Sequence, residues 1–184
     1  MQRVHIIGGK NHGKTQLIVE LVQELSRRGL RVGTIKHTHH QHELDTPGKD
    51  SHRHRAAGAA AVGILSPTLS AVFLPVDPHL PRPADRYAQL APVLADCDLV
   101  LVEGDTQAAA PRIEVWRAAL GTPPLAGRDP AILAVVTDDP LEIATQVRAR
   151  SNLPQLASWI LEAAAGRLAA TPQDFGDSAS KQVR

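Results

Sequence analysis

The spacing of apolar positions along the chain switches repeatedly between strand-like and helix-like periods, and each switch marks an expected element. Val4-His5-Ile6-Ile7 is a short β-type run. Leu17, Leu21 and Leu25, with Ile18 and Val22 beside them, then recur at helical spacing, and Arg27-Arg28-Gly29 supplies a basic last turn and a glycine stop. A second strand is predicted over residues 30–36, followed by a polar stretch over 37–49. Asp50 is placed to cap a short helix running to about residue 58. Residues 61–66 read as a strand closed by Pro67, and 70–76 as a further apolar run leading into proline-dense sequence over 75–83, which suits a turn or an edge excursion. A helix is expected over 85–95. The nearly unbroken apolar run at 98–102 has the character of a strand buried on both faces, and 113–116 and 132–136 add two more strands. Asp139-Pro140-Leu141-Glu142 resembles a capped helix start, so 141–150 is expected to be helical, as is 154–168. Strands alternating with helices predict an α/β fold with a mostly parallel sheet and helices on both faces. With 184 residues, one domain over 1–170 and a disordered tail over 171–184 are expected.

The loop between the first strand and the first helix carries the chemistry. Residues 8–15 read Gly8-Gly9-Lys10-Asn11-His12-Gly13-Lys14-Thr15, a complete G-x-x-x-x-G-K-[ST] phosphate-binding loop, with Gln16 following in the helix. A strand, loop and helix in this order turn backbone N–H groups toward one point at the positive end of a helix dipole. Lys14 can then reach the β- and γ-phosphates, and the Thr15 hydroxyl can bind Mg²⁺. Glu103, at the end of the buried apolar run 98–102, is the expected second carboxylate contact to that metal, so Lys14 and Glu103 are the catalytic candidates of a P-loop NTPase-type fold. The alternative is an acid facing solvent at a strand end. Purine discrimination needs a carboxylate that accepts from the guanine N1 and N2 edge. Thr137-Asp138-Asp139 follows a strand at a suitable place, and because Asp139 is expected to cap a helix, Asp138 is the candidate.

Composition narrows the partners. A formal net charge of +1 with scattered basic residues, and aromatics at 3%, give neither the electrostatic footprint nor the stacking platforms of a nucleic-acid binder. The single Cys97 excludes an intramolecular disulfide and a cysteine-rich zinc site, which fits a cytoplasmic protein. No apolar run reaches the roughly 20 residues of a membrane span, and a strand beginning at Val4 is expected to leave no room for a signal peptide. Six of nine histidines cluster at His37, His39, His40, His42, His52 and His54. Imidazoles bind Zn²⁺ or Ni²⁺, yet the loose spacing suits a solvated loop better. Arg53-His54-Arg55 can hold phosphate through guanidinium forks or can simply be a solvated helix face.

These blocks together resemble the molybdopterin-guanine dinucleotide biosynthesis protein B (MobB) family. The resemblance rests on Gly13-Lys14-Thr15, on Ile35-Lys36-His37-Thr38-His39-His40, and on Asp45-Thr46-Pro47-Gly48-Lys49-Asp50-Ser51 with Arg53-His54-Arg55 and Ala57-Gly58-Ala59. It extends through residues 98–104 to Pro111-Arg112-Ile113-Glu114-Val115-Trp116-Arg117. It implies a dimeric GTP-binding accessory protein that assists a partner nucleotidyltransferase in joining GMP to the molybdenum cofactor. It also implies that Lys36, His37, Asp45, Lys49, Asp50, Arg53 and Arg55 face nucleotide, magnesium or pterin phosphate. Four positions depart from the family pattern: His12 stands where a small residue is usual, Gln16 replaces a second hydroxyl residue, and Asp105-Thr106 replaces an aromatic and a lysine. The expected role is a GTP- and Mg²⁺-binding adapter with weak intrinsic hydrolysis. A P-loop small-molecule kinase and a GTP-driven histidine-rich metallochaperone remain as alternatives. Phe73 and Leu74, at the end of an edge-strand run, are expected to be exposed and covered by a second copy in a homodimer.

Overall fold

A computed structural model describes residues 1–38, 40, 43–76 and 86–167. The elements in chain order are β1 (Arg3–Ile7), α1 (Lys14–Arg27), β2 (Val32–Lys36), α2 (Asp50–Ala56), β3 (Val62–Leu65), β4 (Ser70–Phe73), β5 (Leu99–Glu103), β6 (Arg112–Val115), β7 (Ile132–Val136), β8 (Gln146–Arg148) and α3 (Leu153–Ala164). Tertiary contacts divide the chain into two compact units, Met1–His37 with Leu94–Arg184, and Thr38–Val93.

In the first unit six strands lie in the order β2-β5-β1-β6-β7-β8, every neighbouring pair parallel. The central strands are buried on both faces, which is why β1 and β5 are apolar almost throughout. Leu17, Ile18, Leu21 and Leu25 of α1 pack with Leu156, Ala157 and Ile160 of α3 over Val4, Ile6, Leu99, Leu101 and Ile113. Each such fully buried aliphatic side chain contributes about 1.5–3 kcal/mol. Arg28 also ties the two helices, donating to the Ser158 hydroxyl (2.9 Å) and the Pro154 carbonyl (2.7 Å).

A second apolar cluster joins Ile7, Trp116, Ala126, Ile132 and Val135 with Leu141 and Ile143. Here the structure corrects the expectation of a helix over 141–150. Residues 146–148 instead add the edge strand β8, pairing Ala134 with Gln146 and Val136 with Arg148. Leu141 and Ile143 enter the core two positions apart, an extended-chain period, and Ile143, Thr145 and Val147 are β-branched residues that favour it. The expected cap is also lost, because the Asp139 carboxylate accepts from the Ala118 N–H at 2.7 Å. The helix expected over 85–95 is corrected as well. From Arg86 onward the chain makes turns around one short 3-10 segment, Ala88–Leu90. Pro92 withholds the N–H that a continuing helix needs.

Within Thr38–Val93, α2 begins one residue after its cap, Lys49, so that Asp50 is its first residue. β3 and β4 form an antiparallel two-stranded ribbon, Val62 opposite Phe73 and Leu65 opposite Ser70. The tail over 171–184, the proline-rich 77–85, and His39 and His42 lie outside the described residues.

Buried charge braces β6. Glu114 is 1% exposed and accepts from the N–H groups of Leu125 (2.8 Å) and Ala126 (2.9 Å). Arg112 donates to the Asp129 carboxylate at 2.6 Å and to the Thr106 carbonyl. Glu114→Gln places an NH₂ against one of the two N–H donors. A loss of about 1–3 kcal/mol is expected, read as a lower urea midpoint with unchanged slope.

Candidate functional site

β1 ends at Ile7 and α1 begins at Lys14, so residues 8–13 form a loop at the carboxyl end of the central strand. Gly8 has φ 137°, and a Cβ there would collide with the Val115 carbonyl of β6. Asn11 is left-handed at φ 68°, and Gly13, at φ 96°, precedes α1 with no side-chain cap. The first-turn N–H groups of α1 are thereby left for a ligand. The Lys14 ammonium arches back over the loop, donating to the carbonyls of Gly8 (3.0 Å) and Gly9 (2.7 Å). Burial lowers its pKa from the ordinary lysine value; Glu103 opposes that shift and Lys36 reinforces it.

β5 brings Glu103 to the same place. Parallel registry sets it beside Ile6 of β1 and Lys36 of β2. Its carboxylate accepts from the Thr15 hydroxyl at 2.9 Å, and the Lys36 ammonium stands 3.8 Å from the same oxygen. Lys10, Asn11, Gly13, Lys14, Thr15, Gln16, Lys36 and Glu103 line one cleft of about 410 Å³. An apolar groove formed by Ile18, Val19, Val22 and Ile35 shares Thr15, Lys36 and Glu103 with it. The donor set fits Mg²⁺, which takes one or two protein oxygens and completes its octahedron with water and phosphate oxygens. Among the described residues no three His, Cys, Asp or Glu could hold a metal by themselves.

The other sequence-predicted residues separate into groups. The Gln16 carboxamide turns along α1 and donates to Glu20 (2.9 Å). The His37 backbone N–H donates to the Glu103 carbonyl (2.9 Å), continuing the β2–β5 ladder. Asp138 follows β7 and is exposed, and its Oδ1 accepts from both the N–H and the hydroxyl of Ser151 at 2.9 Å. The Ser151 amide is the main cause holding its carboxyl below the ordinary aspartate pKa. Ser151 went unnoticed in the sequence because it follows β8, where a helix was expected.

Asp45, Lys49, Asp50, Arg53 and Arg55 belong to the unit Thr38–Val93. Asp45 accepts from the Thr46 N–H (2.7 Å) and the Ser51 hydroxyl (3.0 Å), which makes it a local brace. Arg55 pairs with Glu43 at 2.6 Å, and that bond, with the Asp45 N–H, pulls the Glu43 pKa down to about 2. Lys49, Asp50 and Arg53 are exposed.

His12 is the residue whose role the loop motif did not reveal. Its ring turns inward, accepting from the Arg117 N–H at Nδ1 (3.0 Å) and meeting the Thr122 hydroxyl at Nε2 (3.0 Å).

Residues 3–138 match the family model described as molybdopterin guanine dinucleotide synthesis protein B. The chain belongs to the MobB family. Among curated relatives in this family, the molybdopterin-guanine dinucleotide biosynthesis adapter protein of Haemophilus influenzae is 38% identical over 157 residues, covering 84% of this chain and 85% of that protein. The adapter protein of Escherichia coli is 33% identical over 154 residues, covering 82% and 86%. A solved structure of molybdopterin-guanine biosynthesis protein B (mobB) superposes with a TM-score of 0.65 at 28% identity, covering 89% of this chain and 99% of that one. A MobB homologue from Bacillus stearothermophilus gives 0.57 at 27%, covering 91% and 100%.

Two buried imidazoles of this family member set an acid limit. Desolvation lowers the pKa of both His5, whose Nδ1 donates to the Gly104 carbonyl (3.3 Å), and His12. The unfolded chain therefore takes up protons first. This contribution to stability is complete above the ordinary histidine value of about 6.5, and is lost as pH falls through the lowered folded values. The thermal midpoint is expected to drop between about pH 7 and about pH 5.5 in calorimetry, and less so in His5→Asn.

Proposed function

We propose that the chain is a GTP-binding, Mg²⁺-dependent adapter of molybdopterin guanine dinucleotide biosynthesis, working beside a partner guanylyltransferase in the cytoplasm. The observation that carries this reading is the convergence of Lys14, Thr15 and Glu103 on one cleft at a complete phosphate loop, in a chain 38% identical to a protein named as such an adapter. No helix among the described residues is long and apolar enough to cross a membrane, which is compatible with that location.

Backbone N–H groups of residues 9–15 would cradle the phosphates, while Lys14 exchanges its two loop carbonyls for β- and γ-phosphate oxygens. Thr15 would bind magnesium directly and Glu103 would orient its water ligands. The metal, when bound, neutralises phosphate charge. Asp138, whose carboxylate is held by Ser151 and the Arg150 amide, is assigned to the guanine N1 and N2 edge. Glu103 is assigned to the waters of the metal rather than to an attacking water, and the hydrolysis proposed for this site is correspondingly weak. Lys36 at the cleft, and Lys49 and Arg53 on the exposed side of their own unit, are assigned to pterin or partner phosphate.

The deciding experiment is capture of the guanylyltransferase from the organism's extract by the tagged protein, with and without GTP. GTP-dependent recovery supports the adapter reading. Transfer of labelled γ-phosphate to a small molecule in the same extract would replace it with a kinase. Lys14→Ala is expected to weaken GTP binding by at least about 1.5–3 kcal/mol, roughly 10- to 150-fold, with unchanged circular dichroism. Thr15→Ala is expected to remove most of the Mg²⁺ dependence in the same titration.

Self-association belongs to the same proposal. In a two-stranded ribbon both strands are edges, and Leu65, Leu69, Val72, Leu74 and Val76 are exposed on or beside this one, while Phe73 is half-buried. Light scattering at micromolar concentration is expected to report a dimer, and Phe73→Asp with Leu74→Asp to shift it toward monomer.

A further inference from the structure

His12 sits in a loop whose neighbours Lys10 and Asn11 are exposed, yet it is only 2% exposed itself. The backbone N–H of Arg117 can only donate, so Nδ1 of His12 must be an unprotonated acceptor, and Nε2 carries the hydrogen toward the Thr122 hydroxyl. The ring fills the space over Gly9, where a Cβ would fall 2.7 Å from its Cδ2. One residue beyond Arg117, the Ala118 N–H donates to Asp139 at 2.7 Å, and the Asp139 N–H donates to Thr137 at 3.0 Å. Asp138, between them, is pinned by Ser151. A continuous run of hydrogen bonds and peptide groups thus joins the phosphate loop to the turn after β7.

We propose that His12 is a positioning residue: its neutral imidazole latches the phosphate loop to the segment after β6, and through that segment to the turn that presents Asp138. The inference rests on the nucleotide-binding reading of the cleft and adds to it a side chain that turns away from the nucleotide. Protonation would set an N–H at Nδ1 against the Arg117 N–H and open the latch. The charged groups facing the ring are Glu114 from β6, which favours the charged form, and Lys14 from α1 and Arg117, which oppose it. Burial opposes it most, so the latch holds at neutral pH and releases only on acidification.

GTP affinity is measured by calorimetry with Mg²⁺ at several values between about pH 8 and about pH 5.5 for wild type, His12→Asn and His12→Leu. Asn keeps an acceptor near the Nδ1 position and cannot titrate there. It is expected to bind within about threefold of wild type at high pH and to lose the His12 part of the acid decline, whereas Leu binds about tenfold more weakly throughout. Wild-type affinity in the Leu variant, or an undiminished acid decline in the Asn variant, overturns the proposal. Should the Leu variant not fold, Thr122→Val, which removes only the Nε2 partner, is expected to weaken binding about two- to fivefold, and no effect counts against the latch. Hydrogen exchange of the Arg117 amide without nucleotide separates the two readings. Protection lost on acidification in wild type but kept in His12→Asn supports the latch even if no GTP binds, and equal protection in both overturns it.

Discussion

The close approach of the phosphate loop to β6 is the constraint on which the rest of this structure depends. Gly8 lies so near the Val115 carbonyl that no side chain fits, and from there the chain must turn through left-handed positions at Asn11 and Gly13 before α1 can begin. That turn leaves the first N–H groups of α1 uncapped and brings Lys14 back over the loop. The strand beneath must therefore be held firmly. Glu114 and Arg112 do so from within β6, the first capping two N–H groups of the following segment and the second pairing with Asp129.

Parallel strands make the site possible by delivering their carboxyl ends to one edge of the sheet. β1 delivers the loop, β5 delivers Glu103 and β2 delivers Lys36 to one cleft, while Asp138 follows the carboxyl end of β7. No two of these are close in sequence, and the ladder register decides their spacing. Glu103 answers Lys36 and Thr15 because β5 lies between β1 and β2 with Glu103 paired to Lys36 and Ile6. The Thr15 hydroxyl and the Lys36 ammonium both meet the Glu103 carboxylate, while the Lys14 ammonium rests on the Gly8 and Gly9 carbonyls, so two cations and one anion leave positive charge in surplus at the cleft.

The unit Thr38–Val93 has a different economy of charge. Arg55 is committed to Glu43 and Asp45 to Ser51 and Thr46, while Lys49 and Arg53 stay exposed. The sequence block that most narrows the family thus mixes residues that hold the segment together with residues that remain available. Its ribbon keeps a row of apolar side chains in solvent, whereas the central strands β1 and β5 of the first unit bury theirs.

Local chemistry was legible without coordinates wherever one element makes its own case. The loop motif with its flanking strand and helix, the apolar run into Glu103, and the strand Ile132–Val136 all stand as read, because their signals lie within a few residues. Residues 141–150 show where local signals mislead. A good capping sequence was overridden once Leu141 and Ile143 could be buried two positions apart and 146–148 could complete the sheet. Asp139 found a stronger partner in the Ala118 amide, 21 residues away in the chain. The sequence by itself determined the strand, loop and helix of residues 3–27 and the acid that ends β5, because these depend on side-chain type and short-range backbone freedom. Only the tertiary structure decided that His12 faces inward and that Ser151 pins Asp138, since both rest on hydrogen bonds formed after distant strands have paired.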